Sequence, residues 1–520
     1  MRLKLLIPRV IQIVFLLLFS VVVTPSSVWA AGRKFQFQDV ISQAQQLSKQ
    51  SFVDVSDQNV PDFLKKIGYD QWRDIRFKPS QAFWGDNQIP FSVQFFHQGF
   101  LYKQPIIVHY MDESGVHKFI FSPNLFEYGK SDFGASVPTD LNFSGFRIHF
   151  PINKPDYQDE IAVFLGASYF RAVAKDQVYG LSARGLSVDM LADSGEEFPF
   201  FKEFWIIKPQ RKSQKIIVYA LLDSPRITGA YQFAIVPGQE TMMQVDSVLF
   251  PRKKIEKLGI APMTTMFFYG ESPSAHGGKD FRQEVHDSDG LAIVSASGEK
   301  IWRPLTNPER LTINTFSVGM PKAFGLLQRD RNFDHYQDLE AHYQRRPSLW
   351  ILPKGDWGQG HVELVQIPTG SEYNENINAF WVPEKPLEPG ERSEFSYTMK
   401  WSSQEFEPVS QGYVANSWVL RQENERVRFV IDFYGPQLES IVSGHELTAD
   451  ISVAKDYKLL DHQVIKNDTT GGWRLVFQIE PNKDAPLKDI LPNRTAVDLR
   501  AFLKYQQERV TETWDFTFLP

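Results

Sequence analysis

Two stretches of this 520-residue chain set carboxylates among groups that could hold a polar ligand. In Glu284-Val-His-Asp-Ser-Asp-Gly290, His286, Asp287 and Asp289 crowd into a short segment ahead of a strand pattern. In Ile367-Pro-Thr-Gly-Ser-Glu-Tyr-Asn-Glu-Asn-Ile-Asn-Ala-Phe-Trp381, Glu372 and Glu375 lead into an apolar run. Cleaving a glycosidic bond uses two carboxyl groups with opposite tasks, one giving a proton to the leaving oxygen and one taking a proton from water. With inversion the two stand about 6.5–9.5 Å apart, leaving room for that water. On pattern alone the first stretch reads as a turn whose aspartates bond nearby backbone N–H groups. On an extended backbone, Asp287 and Asp289 would share one face, with His286 and Ser288 on the other.

Other side chains fit a sugar. Aromatic residues make up 14% of the chain, with 12 Trp and 42 Phe. Most of the Phe belongs to a β core, but indole also packs on the flat C–H faces of a sugar, whose hydroxyls seek carboxylates, amides and guanidinium groups. Trp350, Trp357 and Trp381 are spaced through the region of Glu375; one or two are expected to stack on sugar and the third to be core. Tyr169 and Arg171 alternate onto one face after Gly166-Ala167, where small residues admit a ligand, and Arg184 is similar. For each arginine the alternative is a structural ion pair. Tyr343 adjoins Arg345 and Arg346 and is either part of the site or a helix-end tyrosine packed on a sheet. No His pair or His/Asp/Glu cluster has metal-ligand spacing, and cysteine is absent. Dinucleotide and phosphate-loop motifs are missing, and Tyr179-Gly-Leu-Ser-Ala-Arg-Gly185 is no nucleophile elbow. No cofactor is expected.

The elements that must position these groups are mostly strands. Period-two alternation recurs in Ile106–Tyr110, Phe146–Phe150, Lys215–Leu221, Tyr231–Val236, Thr241–Phe250, Thr312–Ser317, His361–Ile367 and Glu394–Trp401. Helical spacing of Phe37, Val40, Ile41, Ala44 and Leu47 predicts one helix, and Pro61 opens a short second one that Gly68 can close. Lys253–Lys257 and His335–Gln344 are further short candidates. The fold class is all-β. Residues 1–30 read as a cleaved signal peptide: Arg2, Lys4 and Arg9, an apolar run Val10–Val23, and Val28 and Ala30 before the cut. That run is too short to span a membrane as a helix. Without it the charge is −9, with 53 Lys+Arg against 62 Asp+Glu, which disfavours nucleic acid and anionic lipid. A large sandwich domain over 31–401 with a cleft on one face, a polar linker over 402–412 and an immunoglobulin-like sandwich over 413–520 are expected.

Several segments together carry a resemblance. They are Leu165-Gly-Ala-Ser-Tyr-Phe-Arg171, Tyr179-Gly-Leu-Ser-Ala-Arg-Gly185, Glu196-Glu-Phe-Pro-Phe-Phe-Lys-Glu-Phe-Trp205 and Glu284-Val-His-Asp-Ser-Asp-Gly290. Trp302-Arg-Pro-Leu305, Arg346-Pro-Ser-Leu-Trp350, Gly355-Asp-Trp-Gly358 and Ile367-Pro-Thr369 follow in order. With them the chain resembles, over its whole mature length, the family of osmoregulated periplasmic glucan biosynthesis proteins G and D, and the lack of a twin-arginine export signal favours the G type. The resemblance implies a galactose-mutarotase-like β-sandwich, then the immunoglobulin-like domain, in the periplasm. It also implies work on β-1,2-linked glucose polymers with β-1,6 branches, some members being inverting endo-β-1,2-glucanases. Asp287 falls at the position of the family's general base, with Asp289 supporting it or binding sugar, and Tyr343 at that of a residue relaying protons or holding water. Glu375 aligns with the general acid, an aspartate in the family. Its extra methylene moves the carboxyl by about 1.5 Å, and Glu372 is a neighbouring alternative.

Two functions remain in view: an inverting glycoside hydrolase acting on β-1,2-glucan, and a non-catalytic factor that binds nascent glucan. The expected ligand is this neutral polysaccharide, the second function adds the inner-membrane glucan synthase as partner, and the sequence leaves a homodimer open. Mutarotation or lyase chemistry rests on fold analogy alone.

Overall fold

Alternation along the strands dictates the layers. The computed structural model describes residues 34–56, 59–85, 89–192, 195–271, 280–405, 411–441, 447–482 and 496–520, so the signal peptide expected over 1–30 lies outside the described residues. Among the described residues, no helix is long and apolar enough to cross a membrane.

Residues 36–520 form one unit built mainly from two sheets. A 10-stranded sheet runs Ser92–His97, Phe143–Phe150, Asp159–Leu165, Tyr169–Ala172, Ser182–Arg184, Leu258–Thr265, Ile377–Pro383, Gly360–Gln366 and Thr312–Phe316, with Leu186–Val188 also paired to Leu258–Thr265. A 15-stranded sheet has at its centre Ser348–Lys354, Ser393–Ser402, Thr241–Pro251, Ile227–Val236, Ile216–Asp223 and Phe200–Ile207. Every second residue of each sheet enters a shared core. Aromatic rings interlock there: Phe146 meets Phe204 at 5.0 Å, and Phe164 and Phe170 each meet Phe233 at 5.2 Å. The helix Phe37–Ser48 lays Val40, Ile41 and Ala44 into buried positions, as its spacing predicts.

All the strand segments predicted by alternation are present, while the short helices fare less well. Pro61 does precede a helix, Asp62–Lys66, but Gly68 then starts another, Tyr69–Arg73, rather than closing the first. Lys253–Lys257 is not helical, because Ile255 forms a β-bridge with Leu387. The stretch 335–344 splits into the ends of a helix Phe333–Tyr336 and a turn Tyr343–Arg345, interrupted by left-handed Gln337 and His342.

The C-terminal strands form a second core and share an edge with the first. Thr513–Phe518 pairs in parallel with Lys300–Pro304, through Ile301–Thr513 and Trp302–Trp514. A 4-stranded sheet of Tyr413–Arg421, Val427–Tyr434, Trp473–Pro481 and Tyr457–Lys466 covers it. Trp302, Trp350 and Leu327 therefore join Phe429, Phe477 and Trp514 in one buried cluster. Arg329 crosses the same junction, stacked 3.6 Å from the Trp302 ring and bonded to Glu405 at 2.9 Å and Glu512 at 2.7 Å.

Phe233 is fully buried between the sheets. Phe233→Ala is expected to cost about 3–5 kcal/mol through lost transfer energy and an unfilled cavity, seen as a lower urea midpoint at unchanged slope.

Candidate active site

The site lies on the face of the 10-stranded sheet that turns away from the core. Phe170, Ala183, Met263 and Ala379 are buried in that core. Their neighbours Tyr169 and Arg171, Ser182 and Arg184, Thr264, and Asn378 consequently stand on the reverse face. Register lines them up, since Tyr169 pairs with Arg184, Ser182 with Thr264, and Thr264 with Asn378. Arg184 Nη2 and Thr264 Oγ1 both donate to Asn378 Oδ1 at 3.0 Å, and Arg171 Nε donates to Ser182 Oγ at 2.9 Å. Ser182 Oγ in turn donates to Glu375 Oε1 at 2.8 Å, and the Arg171 guanidinium grips that same oxygen. Tyr102, its ring 4.4 Å from that of Trp72, borders this group and feels the charges of both Arg171 and Glu375.

One short piece of backbone brings Asp287 to the same place. Beyond Leu258–Thr265, the Met266 carbonyl accepts the Asp287 N–H at 2.8 Å. On the other edge, the Asn376 side chain accepts from the Phe267 N–H at 2.9 Å and donates to the Phe267 carbonyl at 3.0 Å. Asp287 and Glu375 are thus carried by segments flanking a common strand end, two strand spacings or roughly 10 Å apart at the backbone. Their electrostatics overlap: burial pushes the Glu375 carboxyl above the usual carboxylate range, opposed by Arg171 and Ser182 and reinforced by Asp287. Burial likewise raises Asp287 against the pull of Arg346 and Arg171. Asp287 shows 6% of its side chain to solvent and Glu375 27%, so the glutamate side is the open one.

Arg346 holds Asp287 through its guanidinium and stacks 4.5 Å from the Tyr343 ring. It can run there because position 180 is glycine, where a Cβ would meet Arg346 Cβ at 2.9 Å. Tyr343 donates its hydroxyl to Glu372 Oε2 at 3.0 Å, and burial lifts the phenol well above its ordinary range. Glu372 also accepts from Arg282 at 2.8 Å. With two donors on its oxygens it is a bound acceptor, which argues against it as the acid.

Behind Asp287 lies a buried ionic knot. His286 Nδ1 faces Gln328 Oε1 at 3.0 Å and Nε2 faces Glu284 Oε2 at 2.9 Å, with Asp289 Oδ1 at 3.6 Å. Both ring nitrogens therefore meet acceptors, the arrangement of an imidazolium. Burial works against that charge, yet Asp289 and Glu284 raise the ring to about 9. Against the expectation that no His/Asp/Glu cluster has metal-ligand spacing, ligand atoms of Glu284, His286 and Asp289, all within one six-residue segment, lie within 4.8 Å of one another, because the bend over 287–289 folds the segment back on itself. With both ring nitrogens facing acceptors, His286 is placed to supply positive charge among these carboxylates.

Several sequence expectations are corrected. Asp287 and Asp289 do not share a face, because residues 287–289 bend between strands. Asp289 turns instead to the backbone N–H groups of Arg329 and Asp330 and to His286, and is a support rather than a sugar contact. Trp350, Trp357 and Trp381 are 2%, 5% and 0% exposed. None offers a face to a ligand: Trp350 packs in the junction core, and Trp357 and Trp381 pack in the main core with ring centres 6.4 Å apart. Arg184 is a structural ion pair, bonded to Glu196 at 2.7 Å beneath Tyr169. Asp287, Glu375, Tyr343, Tyr169 and Arg171 do come together. Ser182, Arg282, Asn376 and Tyr102 were not singled out, and the only clue to the first is its place two residues before Arg184.

A profile of the family described as "Periplasmic glucan biosynthesis protein, MdoG" matches residues 35–518. The chain belongs to this periplasmic glucan biosynthesis family. Among curated relatives of the MdoG family, "Glucans biosynthesis protein G" of Ralstonia nicotianae (strain ATCC BAA-1114 / GMI1000) is 42% identical over 501 residues, 94% of this chain and 97% of its own. Membership places the chain in periplasmic glucan biosynthesis. Solved structures add nothing to this. A polysaccharide lyase is 10% identical over 66% of this chain and 41% of its own, with a TM-score of 0.15. Slr1438 protein from Synechocystis sp. PCC 6803 is 8% identical over 68% and 100%, with a TM-score of 0.18. Scores this low carry no argument.

Arg346→Met removes the cation that draws Asp287 down, leaving burial to raise its carboxyl further. A 13C-carboxyl titration is expected to show Asp287 shifted to higher pH. A carboxyl whose folded pKa is raised favours the folded state at low pH, so the variant's stability is highest below the unfolded carboxyl pKa and is lost as pH rises through the new folded value.

Proposed function

We propose that the chain acts on the β-1,2-linked backbone of periplasmic glucan as an inverting endo-glucanase-like hydrolase, exported to the periplasm. The observation that carries this reading is the placing of Asp287 and Glu375 on either side of the Met266-Phe267 backbone, within electrostatic reach of each other. An inverting pair works with a water between its carboxyls, and the two segments here are held on opposite edges of one strand end. Glu375, on the open side, is the acid. A sugar hydroxyl that draws off Arg171 removes the strongest pull on Glu375, so that burial and the charge of Asp287 favour the protonated form against Ser182 and Arg184. Asp287, held by Arg346, is the base and takes a proton from the water that attacks the anomeric carbon. Tyr343, between Arg346 and Glu372, orients the polar groups around that water. Tyr169, Arg171 and Tyr102 meet the sugar on the open side.

A second reading, a glucan-binding factor without turnover, is favoured by one contact. Arg171 grips Glu375, and an ion pair opposes protonation of an acid. The longer side chain than the family's aspartate is what lets Glu375 reach that partner.

Both readings are tested with the mature protein and linear β-1,2-glucan, following new reducing ends. Asp287→Asn is expected to lower release by about 10²–10⁴-fold, the usual share of a general base; full activity in this variant sinks the mechanism. The rate should fall on the acid side as Asp287 takes up its proton and on the alkaline side as Glu375 loses its own, with both limbs above the ordinary carboxylate range because burial raises both groups. Glu375→Asp separates the readings. A lower rate keeps Glu375 as a fitted acid, whereas a gain of roughly a hundredfold, the scale of a 1 Å realignment, assigns the native chain to binding.

A further inference from the structure

Three loops converge on Arg282, which keeps only 14% of its side chain exposed. Its Nη2 donates to Asp280 Oδ2 at 2.7 Å, and its Nη1 donates to Asp338 Oδ2 at 2.7 Å and to Glu372 Oε2 at 2.8 Å. These bonds lift the guanidinium above its ordinary range and hold Asp280 below its own. One residue away from each contact stands a large apolar side chain in water: Phe281 at 76%, Leu339 at 76% and Tyr373 at 89% exposure. Single exposed hydrophobes are ordinary. These three sit on separate loops that one guanidinium draws to the same region of the surface, and apolar groups gathered on a surface mark binding sites.

The patch adjoins the acid–base pair. Glu372 accepts from Tyr343, whose ring lies beside Arg346, and Arg346 holds Asp287. Tyr373 is two residues from Glu375. A polymer lying across Asp287 and Glu375 must continue over one of the bordering loops, and these three carry flat or apolar faces. Their charge is wrong for an anion, since Arg282 is outnumbered by its carboxylate partners. Asp280 and Glu372 keep 21% and 23% of their side chains in solvent and can accept hydrogen bonds from hydroxyls. Aromatic faces beside carboxylate acceptors match a neutral saccharide.

We propose that Arg282 is a clamp that assembles a glucan-binding rim, with Phe281, Leu339 and Tyr373 as its packing faces, next to the acid–base pair. Arg282 is a positioning residue, because the rim side chains touch the polymer and it does not. The proposal rests on the glucan reading of the site and adds where the chain of sugars runs.

The test is a titration of linear β-1,2-glucan into the full mature chain carrying Asp287→Asn, so that binding is read without cleavage. Adding Phe281→Ala and Tyr373→Ala together is expected to weaken binding roughly tenfold, the loss typical of packed aromatic anchors. Both side chains are largely exposed, so the fold does not depend on them. Arg282→Gln should reproduce the loss, and Arg282→Lys, which keeps the charge but not the planar fork, should recover only part of it. Unchanged binding in the double variant overturns the rim alone. A parent that fails to bind glucan overturns the reading of the whole site, and the rim with it.

Discussion

The site depends on a two-sided grip on Met266 and Phe267. One edge of that strand end accepts the Asp287 N–H, and the other exchanges bonds with the Asn376 amide. Because a backbone carries donors and acceptors on both edges, one short segment fixes two carboxylates that are distant in sequence. Their separation is then set by strand spacing rather than by flexible loops. Asn376 is 2% exposed, so an amide that could serve a ligand is committed to the scaffold instead.

Around that grip, charge is organised in layers. Nearest the open face, Arg171 and Ser182 hold Glu375; deeper, Arg346 holds Asp287; deepest, protonated His286 neutralises Glu284 and Asp289. A buried ion survives only when paired and hydrogen-bonded, and each of these is. Gln328 ties the layers together. It accepts from His286 Nδ1 through its Oε1, and its amide donates to the carbonyls of His286 and Tyr343 at 3.0 and 3.2 Å. Asp287, next to His286, and Tyr343 thus share one fixed support. Burial raises neighbouring Glu271 to about 7, reinforced by the charges of Glu284 and Asp289 in the same cluster, and the Ser417 N–H of a C-terminal strand donates to it at 3.1 Å.

Much of this was legible from residue order. Period-two alternation located the strands because each sheet buries one face, and the family motifs brought out Asp287, Glu375, Tyr343, Tyr169 and Arg171. The tryptophans misled, since Trp350, Trp357 and Trp381 look like sugar platforms in sequence, yet strand parity turns Trp350 and Trp381 inward and Trp357 packs from a loop onto Phe395 and Tyr397. Asp289 misled because an extended backbone was assumed where the chain bends. Arg282 was invisible for a different reason. Its partners Asp338 and Glu372 lie 56 and 90 residues away, and no local pattern announces a contact that only the fold creates. The histidine knot escaped for another reason: Glu284, His286 and Asp289 are close in sequence, but only the bend over 287–289 and Gln328, 42 residues from His286, bring them together.

The shared edge between Lys300–Pro304 and Thr513–Phe518 bears on how the molecule is completed. Synthesis supplies the earlier strands first, yet the edge of Lys300–Pro304 stays unpaired until Thr513–Phe518 arrives. Until then Lys300–Pro304 is a template that another chain could adopt, and the indoles of Trp302 and Trp350 lack their cover. Thr513–Phe518 works as a closing latch, and without it a finished sandwich would become a self-adhesive one.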